Sequence, residues 1–112
     1  MFFNNKKVTV KSLAMAAAKS ELEKDKTIHL IDVRTQQEYH EGHIPGSVNI
    51  PLGNMQRVAA VTPEKDGKIF VYCLSGGRSA QAAGQLAAMG YTDVTNIGGI
   101  VKWPGQLERT KN

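Results

Sequence analysis

A chain of 112 residues, 41% hydrophobic and 21% charged, has the composition of an ordinary globular domain with one core and leaves no room for a second. Its net charge of +4 comes from basic residues scattered from Lys6 to Lys111 without an aromatic-interleaved stripe, which argues against a nucleic-acid partner while leaving a mild field that draws small anions. No apolar run approaches a membrane span and Met1–Lys7 lacks the apolar core of a signal peptide, so a cytoplasmic protein with no membrane partner is expected.

The expected domain is 1–112, with its core over about 8–108. Val8–Val10 reads as a short strand, and Lys11–Lys24 as a helix with Ser12 as cap and Leu13, Ala17 and Leu22 on one face. Thr27–Val33 is an almost continuous apolar run, the pattern of a strand covered on both faces, with Asp32 and Arg34 at its carboxyl end. Thr35 and Glu38 stand at capping-box spacing at the head of a short helix, Gln36–Glu41. Gly42–Gly46 breaks the pattern before a third strand, Ser47–Pro51, and a short helix over Leu52–Val61. After a polar turn at Pro63–Gly67, Lys68–Tyr72 is β-branched and aromatic and predicts a buried strand. Ser79–Met89 is rich in helix formers, with Ala82, Ala83 and Leu86 on one face and Gly90 as its stop. Asp93–Ile97 predicts a fifth strand, and Gly98–Gly99 a last short helix carrying Trp103. Strands alternating with helices across short connections argue for an α/β fold with a parallel sheet. In such sheets ligands sit beyond the carboxyl ends of the strands, where Asp32 and Cys73 fall.

Cys73 is the only cysteine, and it ends the buried strand where the chain turns through Leu74, Ser75, Gly76 and Gly77 into Arg78 and Ser79. The glycines permit a curl with amide N–H groups pointing inward, the helix that follows aims its amino end at the turn, and Arg78 adds a cation. All three favour negative charge, so a thiolate at Cys73 is expected to be stabilised and its pKa lowered. The same residues also fit a plain alternative, in which Cys73 is a small buried hydrophobe closing a strand. With one cysteine there is no intramolecular disulfide and no resolving thiol, so any group Cys73 takes up must leave to an acceptor from outside the chain. Asp32 reads as support for this turn, accepting hydrogen bonds from its amides or pairing with an arginine. Arg34 and Glu38 read as a surface pair, His43 as a hydrogen-bonded structural histidine, and Trp103 as packing. No clustered set of metal-ligating side chains is evident.

Three stretches together carry a resemblance: Ile31–Arg34 with Glu38–Tyr39 and Gly42–Pro51; Cys73–Ser79; and Gly98–Gly99 with Trp103 and Gly105. In that order and over nearly the whole chain they resemble the signatures of a single-domain rhodanese-like sulfurtransferase. The resemblance implies a five-stranded, mostly parallel sheet with helices on both faces. It also implies a cysteine that carries sulfane sulfur as a persulfide, with no metal or organic cofactor. The implied partners are a small anionic sulfur donor, such as thiosulfate or a persulfide, and an acceptor that is cyanide, a thiol or a protein. Leu74–Ser79 would bind substrate and hold the persulfide, with Asp32 and Arg34 in support. Two further readings stay open: a non-catalytic or sulfur-relay binding module, and phosphatase or arsenate-reductase chemistry. Against the latter, four residues separate Cys73 from Arg78, whereas the related dual-specificity phosphatases carry one more and so a wider cradle. Thiosulfate-using relatives often place extra cations beside the cysteine; here Leu74 and Ser75 are neutral. Persulfide donors are therefore expected to serve at least as well as thiosulfate.

Overall fold

The computed structural model describes residues 10–110. Five strands, β1 Lys11–Ser12, β2 His29–Asp32, β3 Val48–Asn49, β4 Ile69–Cys73 and β5 Val94–Gly99, form one sheet in the order β1-β5-β4-β2-β3. Every neighbouring pair of strands is parallel. The helices are α1 Met15–Lys24, α2 Gln36–Glu41, α3 Val58–Val61 and α4 Gly77–Ala88, with 3₁₀ turns at Leu52–Arg57 and Ile100–Lys102.

Alternation along β4 explains the two-sided core. All five β4 residues are buried. Ile69, Val71 and Cys73 face a core completed by Met55, Val58, Ala82, Ala83 and Leu86, which belong to the α3–α4 side. Phe70 and Tyr72, displaced by one residue, face the opposite core with Met15, Ala18, Ile97 and Ile100 on the α1 side. Cys73 therefore points towards α4. Strand order reverses between β2 and β4, the two strands whose carboxyl ends carry Asp32 and Cys73. At such a reversal the following chain segments diverge to opposite sides and leave a crevice.

Several boundaries differ from the sequence expectation. Val8 and Thr9 lie outside the described residues, and the first strand shown is Lys11–Ser12, paired with Thr95 and Asn96 of β5. Because Lys11 and Ser12 are drawn into the sheet, α1 begins only at Met15, and Ala14 stands at its start without a side-chain cap in place of Ser12. The buried face shifts accordingly to Met15 and Ala18, leaving Ala17 exposed. The segment after β3 is a 3₁₀ turn broken at Asn54 (φ −125°, ψ 35°) and then a four-residue helix rather than one helix. Gly98 and Gly99 end β5 instead of opening a helix, and Trp103 follows the final 3₁₀ turn. The capping box at Thr35 and Glu38 is present in full, and Gly90 follows α4 with φ +104°.

Candidate active site

Cys73 is 1% exposed at the tip of β4, between β2 and β5. The chain escapes the sheet through Leu74 and Ser75 and reaches Gly76, whose φ of +112° lies in the left-handed region that a side chain would disfavour. That reversal aims the Gly76 N–H back at the cysteine, to which it donates at 3.0 Å. Helix α4 starts immediately, bringing the Ser79 hydroxyl to 3.4 Å from Sγ. Burial pushes the Cys73 thiol up. The Ser79 hydroxyl and the amides of Ser79, Gly76 and Ser75 more than offset it, so the thiol sits below its ordinary value. The expected inward-facing amides and helix amino end are both there.

The turn rests on β5. Between Val71 and Cys73 the β4–β5 register slips, Val71 pairing with Asn96 but Cys73 with Gly99, so β5 carries an extra residue at that point. Gly98 absorbs the bulge with φ +90°. Gly99 then passes directly under the loop: a Cβ there would collide with the Leu74 carbonyl oxygen and lie 2.6 Å from Ser75 Cα. The loop can approach this closely only because position 99 has no side chain.

The cations are committed to carboxylates. Arg78 does not point freely into the site; its guanidinium is held in a two-pronged pair with Glu38, at 2.8 and 3.0 Å. This pairing holds the Glu38 carboxyl down at about 2, with the Thr35 capping contacts adding to it against burial. The expected Arg34–Glu38 surface pair is overturned. Arg34 is 4% exposed and donates instead to both oxygens of Asp32, Nε reaching Oδ1 at 3.0 Å and Nη2 reaching Oδ2 at 2.6 Å, and also to the Gly42 carbonyl. Asp32 thus takes the arginine of its two expected partners, and it also accepts from the Arg34 backbone amide. The pair is buried, so each charge needs the other. It braces the turn after β2 beside the Cys73 loop.

The other singled-out residues are structural. The His43 Nδ1 lies 2.8 Å from the Tyr39 carbonyl, its ring stacks on Tyr39, and its backbone bridges to Glu108. Trp103 packs against the α1-side core, and its Nε1 donates to the Gln106 carbonyl. A cleft of about 310 Å³ opens beside the loop, lined by Leu74, Ile100 and Leu107 and rimmed by Arg34, Glu38 and Glu41. Among the described residues no group of three or more His, Cys, Asp or Glu side chains could hold a metal ion, and no helix is long and apolar enough to cross a membrane.

Two contributors went unnoticed in the sequence. Glu38 was visible as a helix cap but not as the partner of Arg78, forty positions away. Asn96 sits in β5 on the Cys73 side of the sheet, accepting from Ser79 and from the Gly98 amide. The only local hint was an asparagine two residues ahead of a glycine, a turn-forming pattern.

Residues 14–106 match the family of rhodanese-like domains, and the chain belongs to that family. Its relatives include the thiosulfate sulfurtransferase PspE of Escherichia coli (strain K12), 44% identical over 73 residues, which make up 64% of this chain and 70% of that protein. Among solved structures, a rhodanese with anions from E. coli superposes with a TM-score of 0.70 at 38% identity, over 73% of this chain and 98% of the other. A rhodanese-like domain protein from Staphylococcus aureus gives 0.73 at 31% identity, covering 90% and 99%.

Proposed function

We propose that the chain is a sulfurtransferase that carries sulfane sulfur as a persulfide on Cys73. The observation that supports this most is the Gly76 amide donating to Sγ at 3.0 Å inside a loop curled on the amino end of α4, a setting that favours an anionic sulfur. In the first half-reaction the Cys73 thiolate attacks the outer sulfur of the donor. The new Sγ–S bond forms as the donor's S–S bond breaks, and the electron pair departs with the donor's inner sulfur, as a thiolate from a persulfide or as sulfite from thiosulfate. The outer sulfur, now anionic, is held by the amides of the Leu74–Ser79 loop. In the second half-reaction a thiol, cyanide or a protein nucleophile attacks that sulfur, and the electron pair of the breaking bond returns to Sγ. The scheme calls for no metal or organic cofactor.

Donor choice follows from charge. Thiosulfate is a dianion, while Arg78 and Arg34 are each closed on a carboxylate and the cleft rim adds Glu41. A persulfide carries at most one negative charge at its reacting sulfur pair, with any further charge held away along its carbon chain, and the methylene beside that pair matches the apolar lining of Leu74 and Leu107. Steady-state transfer to cyanide, compared side by side for thiosulfate and glutathione persulfide, should show kcat/KM for the persulfide at least equal to that for thiosulfate. Cys73→Ser should abolish both. A strong preference for thiosulfate would contradict the charge argument, and transfer surviving in Cys73→Ser would contradict the mechanism.

A further inference from the structure

One hydroxyl proton at the site faces three acceptors. Ser79 Oγ lies 2.7 Å from Asn96 Oδ1, 3.1 Å from the Gly76 carbonyl and 3.4 Å from Cys73 Sγ. A serine hydroxyl donates one hydrogen bond at a time. The Asn96 amide orientation is fixed by its surroundings: Oδ1 accepts from the Gly98 N–H at 2.9 Å, and Nδ2 is turned towards the Gly76 carbonyl at 3.5 Å. Reversing the amide would set NH₂ against the Gly98 N–H. Oδ1 therefore faces Ser79, and at 2.7 Å it takes the serine proton. The lone pairs of Ser79 are left for Cys73, which suits a thiol donating S–H but not a thiolate, which can only accept.

From this we infer that Asn96 is a positioning residue for sulfur chemistry: it holds the Ser79 hydroxyl away from Sγ when the sulfur is neutral and yields it when the sulfur is a thiolate, so the hydroxyl toggles between Asn96 and Cys73 as the sulfur changes charge. The inference deepens the sulfur-transfer reading and rests on it for its consequence during turnover. In the persulfide Sγ is uncharged and the hydroxyl donates to Asn96. As an acceptor removes the outer sulfur, the electron pair of the breaking bond collects on Sγ, and a rotation about one Ser79 torsion brings the hydroxyl to meet it. Throughout, Asn96 Oδ1 keeps the Gly98 N–H and is never left unpartnered. Regular alternation puts Asn96 on the face of Val94, Val71 and Cys73, and the bulge that follows, with Gly98 at φ +90°, accompanies the return of the Gly98 amide to Asn96 Oδ1.

Competition for one proton gives the two neighbours opposite signs. The charged groups beside the Cys73 end of β4 are the Asp32–Arg34 pair from β2 and the turn after it, and the Glu38–Arg78 pair joining α2 to α4; β5 contributes neutral Asn96, and His29 of β2 lies at the far end of the strand, opposite Ile69. None of these is altered in the test. The Cys73 thiol pKa is read from the pH dependence of alkylation by iodoacetamide, which needs no sulfur donor. A failure here is therefore distinct from a failure to load sulfur. Ser79→Ala should raise the pKa by about one unit, since a hydrogen bond to a charged group is lost. Asn96→Ala should lower it, and the double variant should match Ser79→Ala alone. Asn96→Asp, which keeps both acceptor contacts, should raise the pKa more with Ser79 present than in the Ser79→Ala background. It provides the test should Asn96→Ala fail to fold. An Asn96→Ala shift that is zero, upward or independent of Ser79, or an Asn96→Asp shift equal in both backgrounds, would overturn the inference.

Discussion

Arg78 is the residue whose place in the structure most changes the chemistry. From the sequence it is a cation in an anion-binding turn; in the fold it is a clasp that ties the start of α4 to α2 through Glu38. The clasp has a pH signature. Glu38 titrates at about 2 instead of its ordinary 4.5, because Arg78 stabilises its charged form. A depressed carboxylate pKa adds stability that is fully present above the ordinary value and is lost as pH falls through the folded value. The side chains are 34% and 28% exposed, so screening limits the contribution to about 1 kcal/mol. Glu38→Gln should therefore melt below wild type at neutral pH, and the gap should close as pH is lowered from about 4.5 towards about 2. A gap that is constant with pH would show that the fold does not hold Glu38 down. Capping should survive the substitution, because the amide oxygen of Gln can still accept from the Thr35 N–H.

At the scale of elements, β4 and α4 make the site and β5 supports it. The composition of Lys68–Tyr72 and of Ser79–Met89 was enough to expect a buried strand leading into a helix, and the single cysteine fell at the junction. The Thr35–Glu38 capping box was equally legible, since both partners lie within one turn. What the sequence could not show was any contact made across the fold. Gly98–Gly99 looked like a helix start because two glycines usually interrupt a strand. They continue β5 because the bulge needs a positive φ at Gly98 and the Cys73 loop needs bare backbone at Gly99. Lys11 and Ser12 likewise read as helix until β5 is there to pair with them. Gly99→Ala tests the support directly. Its methyl group meets the Leu74 carbonyl and Ser75 Cα, backbone atoms that cannot swing aside. Overpacking of this kind costs about 1–3 kcal/mol. The variant should melt lower and its Cys73 should alkylate with an altered pH profile; wild-type behaviour in both would mean that the loop does not depend on this approach.

Across the whole molecule, the reversal of strand order between β2 and β4 places a braced ion pair, Asp32–Arg34, next to the loop that follows Cys73. Rhodanese-like architecture was readable because its three signature stretches fall at the carboxyl ends of β2, β4 and β5, where the chain has to be specific. The charge balance of the site was not readable. It depends on two carboxylate partners chosen by the fold: Arg78, the only cation of the loop, is closed on Glu38, and Arg34 beside it on Asp32. On the function proposed above, this arrangement makes Cys73 a sulfur carrier. Intact mass after incubation with glutathione persulfide, and separately with thiosulfate, tests it most directly. The wild-type chain should gain one sulfur atom, discharged by cyanide or a thiol and absent in Cys73→Ser. A folded protein that gains no sulfur from either donor would contradict it.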